Sequence, residues 1–229
     1  MRTPLSIVIP FYNEEKNIES VLSEIKTALS GMAIPYEFIC VDNGSRDTTA
    51  AILTKFAHQD PHITIITVPV NEGYGWGVSR GLAATTKPWV TVVSGDRQID
   101  PRDILNAYAI MESSGVDIVK SRRISRSDGP YRFFISFTYN LIMKILFQLP
   151  GWDYNAPPKI FKQSFLKRIQ IESKTSFIDP EILIKAKRLG ASMTEITSTY
   201  REREHGSGHT NIHTIGTFIA DIIYWRFFR

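Results

Sequence analysis

The stretch LSIVIPFYNEEKNIESVLSEIKTAL (5–29) contains a short apolar run followed by apolar residues at helical spacing. LSIVIP (5–10) is typical of a buried strand, and the apolar residues from 18 to 29 recur every three or four positions, as on one face of a helix. Asn13 is predicted to cap that helix, because asparagine side chains accept hydrogen bonds from the free amides of a helix start. A strand followed by a helix is the repeating unit of an α/β fold.

The same alternation continues along the first half of the chain. Further strands are predicted at 36–41, 62–68, 88–94 and 117–121, with helices at 48–58, 77–86 and 102–113. Such an order predicts a mostly parallel sheet that helices cover on both faces. Ligands bind to these sheets beyond the carboxyl ends of the strands. The site is therefore predicted in the loops 10–15, 42–48, 71–77 and 94–101.

Composition excludes several classes of protein. The chain has 229 residues, of which 43% are hydrophobic and 22% charged, so it is neither disordered nor a multi-pass membrane protein. Its one cysteine, Cys40, excludes an intramolecular disulfide and a cysteine-based zinc cluster. Because the apolar run near the N-terminus is short and is interrupted by Pro10, we expect no secretory signal and an intracellular protein. No linker or repeat is evident, so residues 1–229 are predicted to form one domain.

Charge is distributed unevenly between the two halves of the chain. Residues 1–119 contain 9 Lys and Arg against 14 Asp and Glu, whereas residues 120–229 contain 18 against 9. The net charges are therefore −5 and +9. A basic half suits nucleic acid, an anionic membrane surface or a phosphate-bearing substrate.

Two segments of the second half are strongly apolar. In YRFFISFTYNLIMKILFQL (131–149), polar residues fall at every fourth position and form one narrow stripe on a helix. The segment is predicted to lie in a membrane interface. A buried core helix and a spanning helix are the alternatives, and Arg132 and Lys144 would make spanning costly. IGTFIADIIYWRFFR (215–229) has the same character and is too short to span a bilayer.

Oxygen-bearing side chains follow successive predicted strands. Asp42 comes after the second strand, and Asp96, Gln98 and Asp100 come after the fourth. Such groups suit Mg²⁺ or Mn²⁺ held by one or two carboxylates together with phosphate oxygens of a substrate. The nearby glycines have the wrong spacing for G-x-G-x-x-G, and no G-x-x-x-x-G-K-[ST] occurs, which argues against dinucleotide-binding and P-loop proteins.

Taken together, these motifs resemble a known family. IVIPFYNEE (7–15), FICVDNGSRDTT (38–49), NEGYGWGVSRGL (71–82) and SGDRQIDP (94–101) are similar to those of family 2 glycosyltransferases with the GT-A fold. The dolichyl- and polyprenyl-phosphate mannose or glucose synthases are the most similar members. Later segments follow in the same order: DIVKSRR (117–123), DYNAPPKIFK (153–162), SFIDPEILIKAKRLGA (176–191) and YREREHGSG (200–208).

The resemblance implies a role for particular residues. Those implied to bind the nucleotide sugar are Pro10, Tyr12, Glu14, Asp42, Asn43, Gly73, Gly75 and Asp96. Those implied to hold Mg²⁺ or Mn²⁺ are Asp96, Gln98 and Ser94. Arg122, Arg123 and Arg203 are implied to bind the acceptor phosphate, and Asp96, Asp179, Glu181 and Arg203 to act in catalysis. Residues 1–119 then form the nucleotide-sugar half and residues 120–229 the acceptor and membrane-interface half.

The chain departs from the family's pattern at four places. Ser94 replaces the first Asp of the D-x-D metal motif, which removes one negative charge from the predicted metal site. Asn43 replaces the second Asp of the V-D-D-G-S motif, and Tyr74 stands where many relatives have a basic residue. Residues 206–209 differ from the usual G-x-S-K. A catalytically degenerate relative therefore remains an alternative.

The expected reaction is an inverting, metal-dependent transfer of a hexose from a UDP- or GDP-hexose to a polyprenyl phosphate such as dolichyl or undecaprenyl phosphate. A phosphate monoester is largely dianionic at pH 7 and needs arginines rather than a base. The expected location is peripheral, on the cytoplasmic face of a membrane.

Two alternatives to that reaction stay open. A glycan hydroxyl acceptor, as in cell-surface polysaccharide synthesis, needs a base such as Asp179 or Glu181. A non-enzymatic basic protein that binds nucleic acid or a membrane is the second alternative, and nucleic acid is disfavoured because the acidic loops at the strand ends would repel phosphate without a metal. No nucleic-acid partner is expected, and the sequence predicts no particular oligomeric state.

Overall fold

The computed structural model describes residues 2–124, 129–201 and 212–229, with side chains from 133 and 216 onward in the helices that begin at 129 and 212. Its strands are β1 (Leu5–Phe11), β2 (Tyr36–Asn43), β3 (Ile63–Val68), β4 (Trp89–Val92), β5 (Ile118–Arg123), β6 (Lys159–Lys162) and β7 (Met193–Ser198). Its helices are α1 (Ile18–Gly31), α2 (Thr49–Gln59), α3 (Tyr74–Ala83), α4 (Pro101–Ser114), α5 (Gly129–Phe147), α6 (Gln163–Leu166), α7 (Ile178–Arg188) and α8 (Ile212–Phe227).

The strands form one sheet in the order β3-β2-β1-β4-β6-β5-β7. Strand β6 runs antiparallel to β4 and β5, and the other neighbouring pairs are parallel. The predicted α/β class with a mostly parallel sheet is therefore confirmed. The antiparallel direction of β6 has a local consequence, because its first residue, Lys159, lies opposite Val92 at the carboxyl end of β4.

The core lies on both faces of the sheet. Successive residues of a strand point to opposite faces, so Ile7 and Ile9 pack into one buried cluster and Val8 packs into the other. Cys40 is completely buried in the first cluster, as predicted, and burial raises the pKa of its thiol. This two-sided burial holds the strands rigidly beneath the loops that follow them.

Helix α1 begins later than the sequence predicts. Its N-cap is Asn17, not Asn13. Asn13 has a left-handed backbone (φ 55°), and its side-chain oxygen accepts a hydrogen bond from the Arg46 backbone N–H at 2.8 Å. The capping prediction is wrong because Asn13 instead joins the loop after β1 to the loop after β2.

Candidate active site

The carboxyl ends of β1, β2 and β4 form a shared edge of the sheet, which we call the rim. Phe11 at the end of β1 lies in register with Asp42 near the end of β2. The loop after β4 approaches this edge closely, because a Cβ on Gly95 would lie 2.5 Å from the Phe11 ring. The parallel strands thus bring the loops that contain Asp42 and Asp96 to the same edge, as the sequence predicts.

The nucleotide-binding residues predicted on β1 and β2 lie at this rim. Asp42 is buried, and its carboxylate accepts a hydrogen bond from the Ser45 backbone N–H at 3.1 Å. Tyr12 is 42% exposed, and its neighbour Pro10 is half-buried. The Glu14 carboxylate accepts a hydrogen bond from the Asn17 side-chain amide at 2.6 Å. The rim therefore combines buried, oriented oxygen acceptors with an exposed aromatic ring.

The glycines of loop 71–77 permit a close contact with segment 173–175. A Cβ on Gly73 would lie 2.3 Å from the Lys174 carbonyl oxygen, and one on Gly75 would lie 2.3 Å from the Thr175 carbonyl oxygen. Gly73 also has a φ of 120°, which favours glycine. Asn43 supports the loop by donating a hydrogen bond to the Gly73 carbonyl oxygen at 3.1 Å. The glycines thus have a packing role, and their contact with a nucleotide stays a prediction.

The predicted metal ligands occupy the loop after β4. Asp96 is buried, and its carboxylate accepts a hydrogen bond from the Gln98 backbone N–H at 3.2 Å. The Gln98 side-chain oxygen accepts a hydrogen bond from the Tyr200 hydroxyl at 2.9 Å, and its amide nitrogen donates to the Arg201 carbonyl oxygen at 3.3 Å. Ser94 is half-buried at the start of the loop.

This donor set fits a hard divalent cation that shares its ligands with a substrate. It consists of one carboxylate, one hydroxyl and one amide oxygen, and Mg²⁺ and Mn²⁺ prefer oxygen ligands. Within residues 2–124, 129–201 and 212–229 there is no group of three or more His, Cys, Asp or Glu residues that would hold a metal unaided. Phosphate oxygens would therefore have to complete the coordination.

Asp179 of α7 is linked to the carboxyl end of β4 through Lys159, which lies opposite Val92. Its carboxylate accepts a hydrogen bond from the buried Lys159 ammonium at 2.7 Å. Burial, together with the charges of Asp179 and Asp96, raises the pKa of Tyr74 well above its ordinary value. The sequence signalled Tyr74 only as a departure from the family, and it gave no indication of Lys159.

The surroundings of Glu181 do not fit the predicted role of a catalytic base. It is completely buried, and its two carboxylate oxygens accept hydrogen bonds from the backbone N–H groups of Glu172 and Ser173, each at 2.7 Å. Lys185 also donates to this carboxylate at 2.7 Å. Glu181 therefore holds the backbone of segment 172–173 in place and does not present a free carboxylate to a substrate.

Of the arginines predicted to bind the acceptor phosphate, Arg122 and Arg123 lie within the described residues, and their surroundings differ. Arg122 is exposed. The Arg123 guanidinium forms a bidentate pair with the buried Asp153 at 2.8 and 2.7 Å, and it lies 5.2 Å from the centre of the Tyr200 ring. Arg123 thus connects β5 with the segment before β6, and contact of Arg122 with a phosphate stays a prediction. Arg203 lies outside the described residues.

Helices α5 and α8 present apolar side chains to the outside. On α5, Phe133, Phe134 and Ile145 are 62%, 67% and 65% exposed, and on α8 Phe227 is 72% exposed. The predicted polar stripe of α5 turns partly inward, because Asn140 is buried and accepts a hydrogen bond from the Tyr154 backbone N–H at 3.0 Å. Among the described residues, no helix combines the length and apolarity that crossing a bilayer requires.

The sheet order and the rim are those of an α/β fold whose ligands bind at the carboxyl ends of the strands. Residues 6–172 match the family model "Glycosyl transferase family 2", and the chain therefore belongs to this family of glycosyltransferases. Residues 1–5 and 173–229, the latter including α7, β7 and α8, lie outside that match.

Two curated relatives match almost the whole chain. The chain is 27% identical over 222 residues to the undecaprenyl-phosphate 4-deoxy-4-formamido-L-arabinose transferase of Yersinia enterocolitica, with 96% of this chain and 66% of that protein covered. It is 25% identical over 229 residues to the dodecaprenyl-phosphate galacturonate synthase of Rhizobium johnstonii, with 98% and 67% covered. The chain thus spans about two thirds of the length of these relatives.

A solved structure shares the fold. Glucosyl-3-phosphoglycerate synthase from Mycobacterium tuberculosis, crystallised with Mn²⁺, UDP and glucosyl-3-phosphoglycerate, matches with a TM-score of 0.77 at 20% identity. The match covers 98% of this chain and 80% of that one. At this identity the likeness shows the GT-A fold, which confirms the fold expected from the sequence.

Proposed function

We propose that the protein transfers a hexose from a UDP- or GDP-hexose to a polyprenyl phosphate at a membrane surface. The observation that supports this most is the position of α5 beside the rim. Tyr139 of α5 packs against Phe218 of α8, with the ring centres 5.0 Å apart. Asp221 of α8 accepts a hydrogen bond from Thr175, whose carbonyl oxygen contacts Gly75 of the rim loop. Helix α5 also exposes Phe133 and Phe134. A lipid resting on α5 would therefore hold its phosphate next to the site.

The acceptor chemistry fits the carboxylates of the site. A sugar hydroxyl must lose its proton during attack and needs a free base, whereas a phosphate monoester supplies its own oxyanion. Asp179 is paired with Lys159, and Glu181 is buried and fully hydrogen-bonded. The names of the two curated relatives also specify polyprenyl phosphates. These observations favour the phosphate acceptor over a glycan hydroxyl.

In the proposed reaction, an oxygen of the acceptor phosphate attacks the anomeric carbon of the donor sugar. The new carbon–oxygen bond forms as the bond to the diphosphate breaks, and the leaving diphosphate takes the electron pair. Attack from the opposite side inverts the configuration at that carbon. Arg122 would bind the acceptor phosphate, because a guanidinium donates two parallel hydrogen bonds to it.

The residues of the donor side would orient the nucleotide sugar. Asp42 and Tyr12 would contact the nucleoside, and Asp96, Ser94 and Gln98 would hold Mg²⁺ or Mn²⁺. A bound divalent cation stabilises the negative charge that develops on a leaving diphosphate. We place the protein on the cytoplasmic face of the membrane, where nucleotide sugars would reach it.

Transfer to purified undecaprenyl phosphate from a panel of radiolabelled UDP- and GDP-sugars tests the proposal. We expect one donor to label the lipid, and Asp96→Asn to lower the rate at least about a hundredfold, because charge stabilisation of this kind is worth that much in other enzymes. Asp60→Asn, at the far end of the sheet after α2, is the matched control. A lipid that no donor of the panel labels, or full activity of Asp96→Asn, would contradict the proposal.

A further inference from the structure

The side-chain amide of Gln98 is held at both of its ends by the segment that follows β7. Its oxygen accepts a hydrogen bond from the Tyr200 hydroxyl at 2.9 Å, and its nitrogen donates to the Arg201 carbonyl oxygen at 3.3 Å. Because a carbonyl oxygen only accepts hydrogen bonds, an amide turned the other way would place two acceptors against each other. The Gln98 oxygen is therefore fixed towards the phenol of Tyr200.

The backbones of these two segments are joined as well. The Arg201 N–H donates to the Gln98 carbonyl oxygen at 2.9 Å. Ile99 pairs with Tyr200 in an isolated antiparallel bridge. The loop after β4 and the segment after β7 are thus held together by main-chain contacts, and whatever fixes the Tyr200 ring also fixes the side chain of Gln98.

The Tyr200 ring is in contact with the guanidinium of Arg123, whose central carbon lies 5.2 Å from the ring centre. At this distance a guanidinium is attracted to the face of an aromatic ring. Arg123 is the last residue of β5, and it lies in register with Ser198 at the end of β7, two residues before Tyr200. The guanidinium therefore reaches the ring from the neighbouring strand.

Asp153 holds the Arg123 side chain with both of its carboxylate oxygens. One oxygen accepts from Nε at 2.8 Å and the other from Nη2 at 2.7 Å, and the Arg123 backbone N–H also donates to this carboxylate at 3.2 Å. Only 5% of the Asp153 side chain is exposed. Asp153 has a left-handed backbone (φ 53°), which a non-glycine residue keeps only where its surroundings enforce it. The position of the Arg123 guanidinium is thus strongly determined.

A continuous row of contacts therefore leads from Asp153 through Arg123 and Tyr200 to the oxygen of Gln98. An amide oxygen has two lone pairs, so an oxygen that accepts one hydrogen bond can still bind a cation. Groups that hydrogen-bond to metal ligands orient those ligands and tune the affinity of the site. The phenol of Tyr200 has this relation to Gln98, and Arg123 has it at one remove.

We infer that Arg123 is a positioning residue that acts through Tyr200 to orient the Gln98 oxygen for a divalent cation. The inference rests on the proposed function, because it requires a cation held by Asp96 and Gln98. It gives Arg123 a different role from the phosphate contact that the family resemblance implies, and the bidentate pairing of its guanidinium with Asp153 supports this role.

Tyr200→Phe and Arg123→Lys test the inference. The first removes the hydroxyl and keeps the ring, and the second keeps a positive charge beside Asp153 and loses the planar guanidinium. Binding of UDP and of GDP is measured calorimetrically with Mn²⁺ and again with EDTA, and the ratio of the two dissociation constants is the metal gain. We expect each variant to lower the metal gain about tenfold, because loss of a group that orients a metal ligand costs that much in other proteins. Affinity with EDTA should equal that of the wild type.

The combined variant decides whether Arg123 acts through Tyr200. Tyr200→Phe together with Arg123→Lys should lose no more metal gain than Tyr200→Phe alone, because the hydroxyl that transmits the effect is already absent. Arg122→Gln, at the exposed arginine one position earlier in β5, is the matched control and should keep the wild-type metal gain. If Arg123→Lys does not fold, Arg123→Gln combined with Asp153→Asn takes its place, because this pair leaves no unpaired buried charge.

The outcomes separate this inference from the proposed function. A wild-type metal gain in either single variant would overturn the inference and leave the proposed function intact. Losses that add up in the combined variant would overturn it too, since Arg123 would then act by another route. An equal loss of affinity with EDTA, or a lowered melting temperature with an unchanged metal gain, would show a structural role and overturn it as well. A wild type that gains no affinity from Mn²⁺ would overturn both the inference and the proposed metal site.

Discussion

Tyr139 on α5 has a buried hydroxyl that has no hydrogen-bond partner within the described residues. Burial and the charges of Asp179, Asp221 and Asp153 raise the pKa of this hydroxyl well above its ordinary value. Its ring packs against Phe218 of α8, with the ring centres 5.0 Å apart. A buried polar atom without a partner loses its hydration and gains nothing in return.

Tyr139→Phe is therefore expected to stabilise the free protein by about 1 kcal/mol. The ring contact with Phe218 is kept, and only the unsatisfied hydroxyl is removed. Urea unfolding followed by circular dichroism measures the change. Tyr154→Phe is the control, because the Tyr154 hydroxyl contacts the Leu149 carbonyl oxygen at 3.1 Å and its loss should destabilise. A Tyr139→Phe variant less stable than the wild type would show that the hydroxyl has a partner in solution.

Single residues of the rim were predictable only where a local motif marks them. Asp42 and Asp96 follow buried strands, and the direction of those strands alone places them at the rim. Glu181 was predicted as a candidate base. The sequence cannot show that its carboxylate oxygens accept hydrogen bonds from the backbone N–H groups of residues 172 and 173. Lys159 was missed because its pairing with Asp179 depends on a strand direction that spacing does not encode.

At the scale of elements, one carboxylate of α1 connects the loop after β4 with the segment after β7. Glu24 accepts from Arg97 at 2.7 Å with one oxygen and from Arg201 at 2.7 Å with the other. Burial alone would raise the pKa of Glu24, but the hydrogen bonds from the two arginines lower it below its ordinary value. Arg97 follows Asp96 directly and has a left-handed backbone (φ 61°), which a non-glycine residue adopts at a cost. Glu24 therefore helps to hold the loop after β4, which contains Asp96 and Gln98, in its conformation.

Glu24→Gln is expected to raise the Mn²⁺ concentration needed for half-maximal sugar transfer about tenfold, because a shifted loop misplaces Asp96. The melting temperature should change little, since these ion pairs are partly exposed and contribute about 1 kcal/mol or less. Glu19→Gln, on the exposed side of the same helix, should behave as the wild type. An unchanged Mn²⁺ requirement in Glu24→Gln would contradict the positioning role.

The elements of the first half were predicted well, and those of the second half less so. Strands β1 to β3 lie within a residue or two of their predicted bounds, because apolar runs bounded by Pro, Asn or Gly mark them clearly. Strands β6 and β7 were not assigned, since LysIlePheLys at 159–162 is only four residues long and β7 is half-polar. For α5 the helix was predicted, but the burial of Asn140 was not, because Tyr154 supplies the partner from a distant loop.

At the scale of the whole molecule, the exposed apolar residues of α5 and α8 lie in the basic half of the chain. The half from 120 to 229 has a net charge of +9. Basic residues and exposed aromatic side chains together favour an anionic bilayer surface. This distribution supports the proposal that the protein binds a membrane through the exposed apolar residues of α5 and α8.

Ile142→Glu on α5 is expected to lower binding to anionic liposomes about tenfold, because it removes an apolar contact and adds a charge that the lipid repels. Ile110→Glu on α4 is the matched control, since both isoleucines are 38% exposed. Liposome flotation with phosphatidylglycerol vesicles measures the binding. Equal loss of binding in both variants, or in neither, would show that α5 is not the contacting surface.

Strand β6 also limits how this enzyme can be recombined with its relatives. It lies between β4 and β5 and runs against both, so the two halves of the sequence meet within one sheet at the β4–β6 pair. A chimera cut near residue 119 would divide β5 itself and would pair β4 of one parent with β6 of the other, so Lys159 would no longer face the β4 end with which it belongs. To exchange the acceptor preference between relatives, α5, α8 and their loops should therefore be grafted onto an intact sheet.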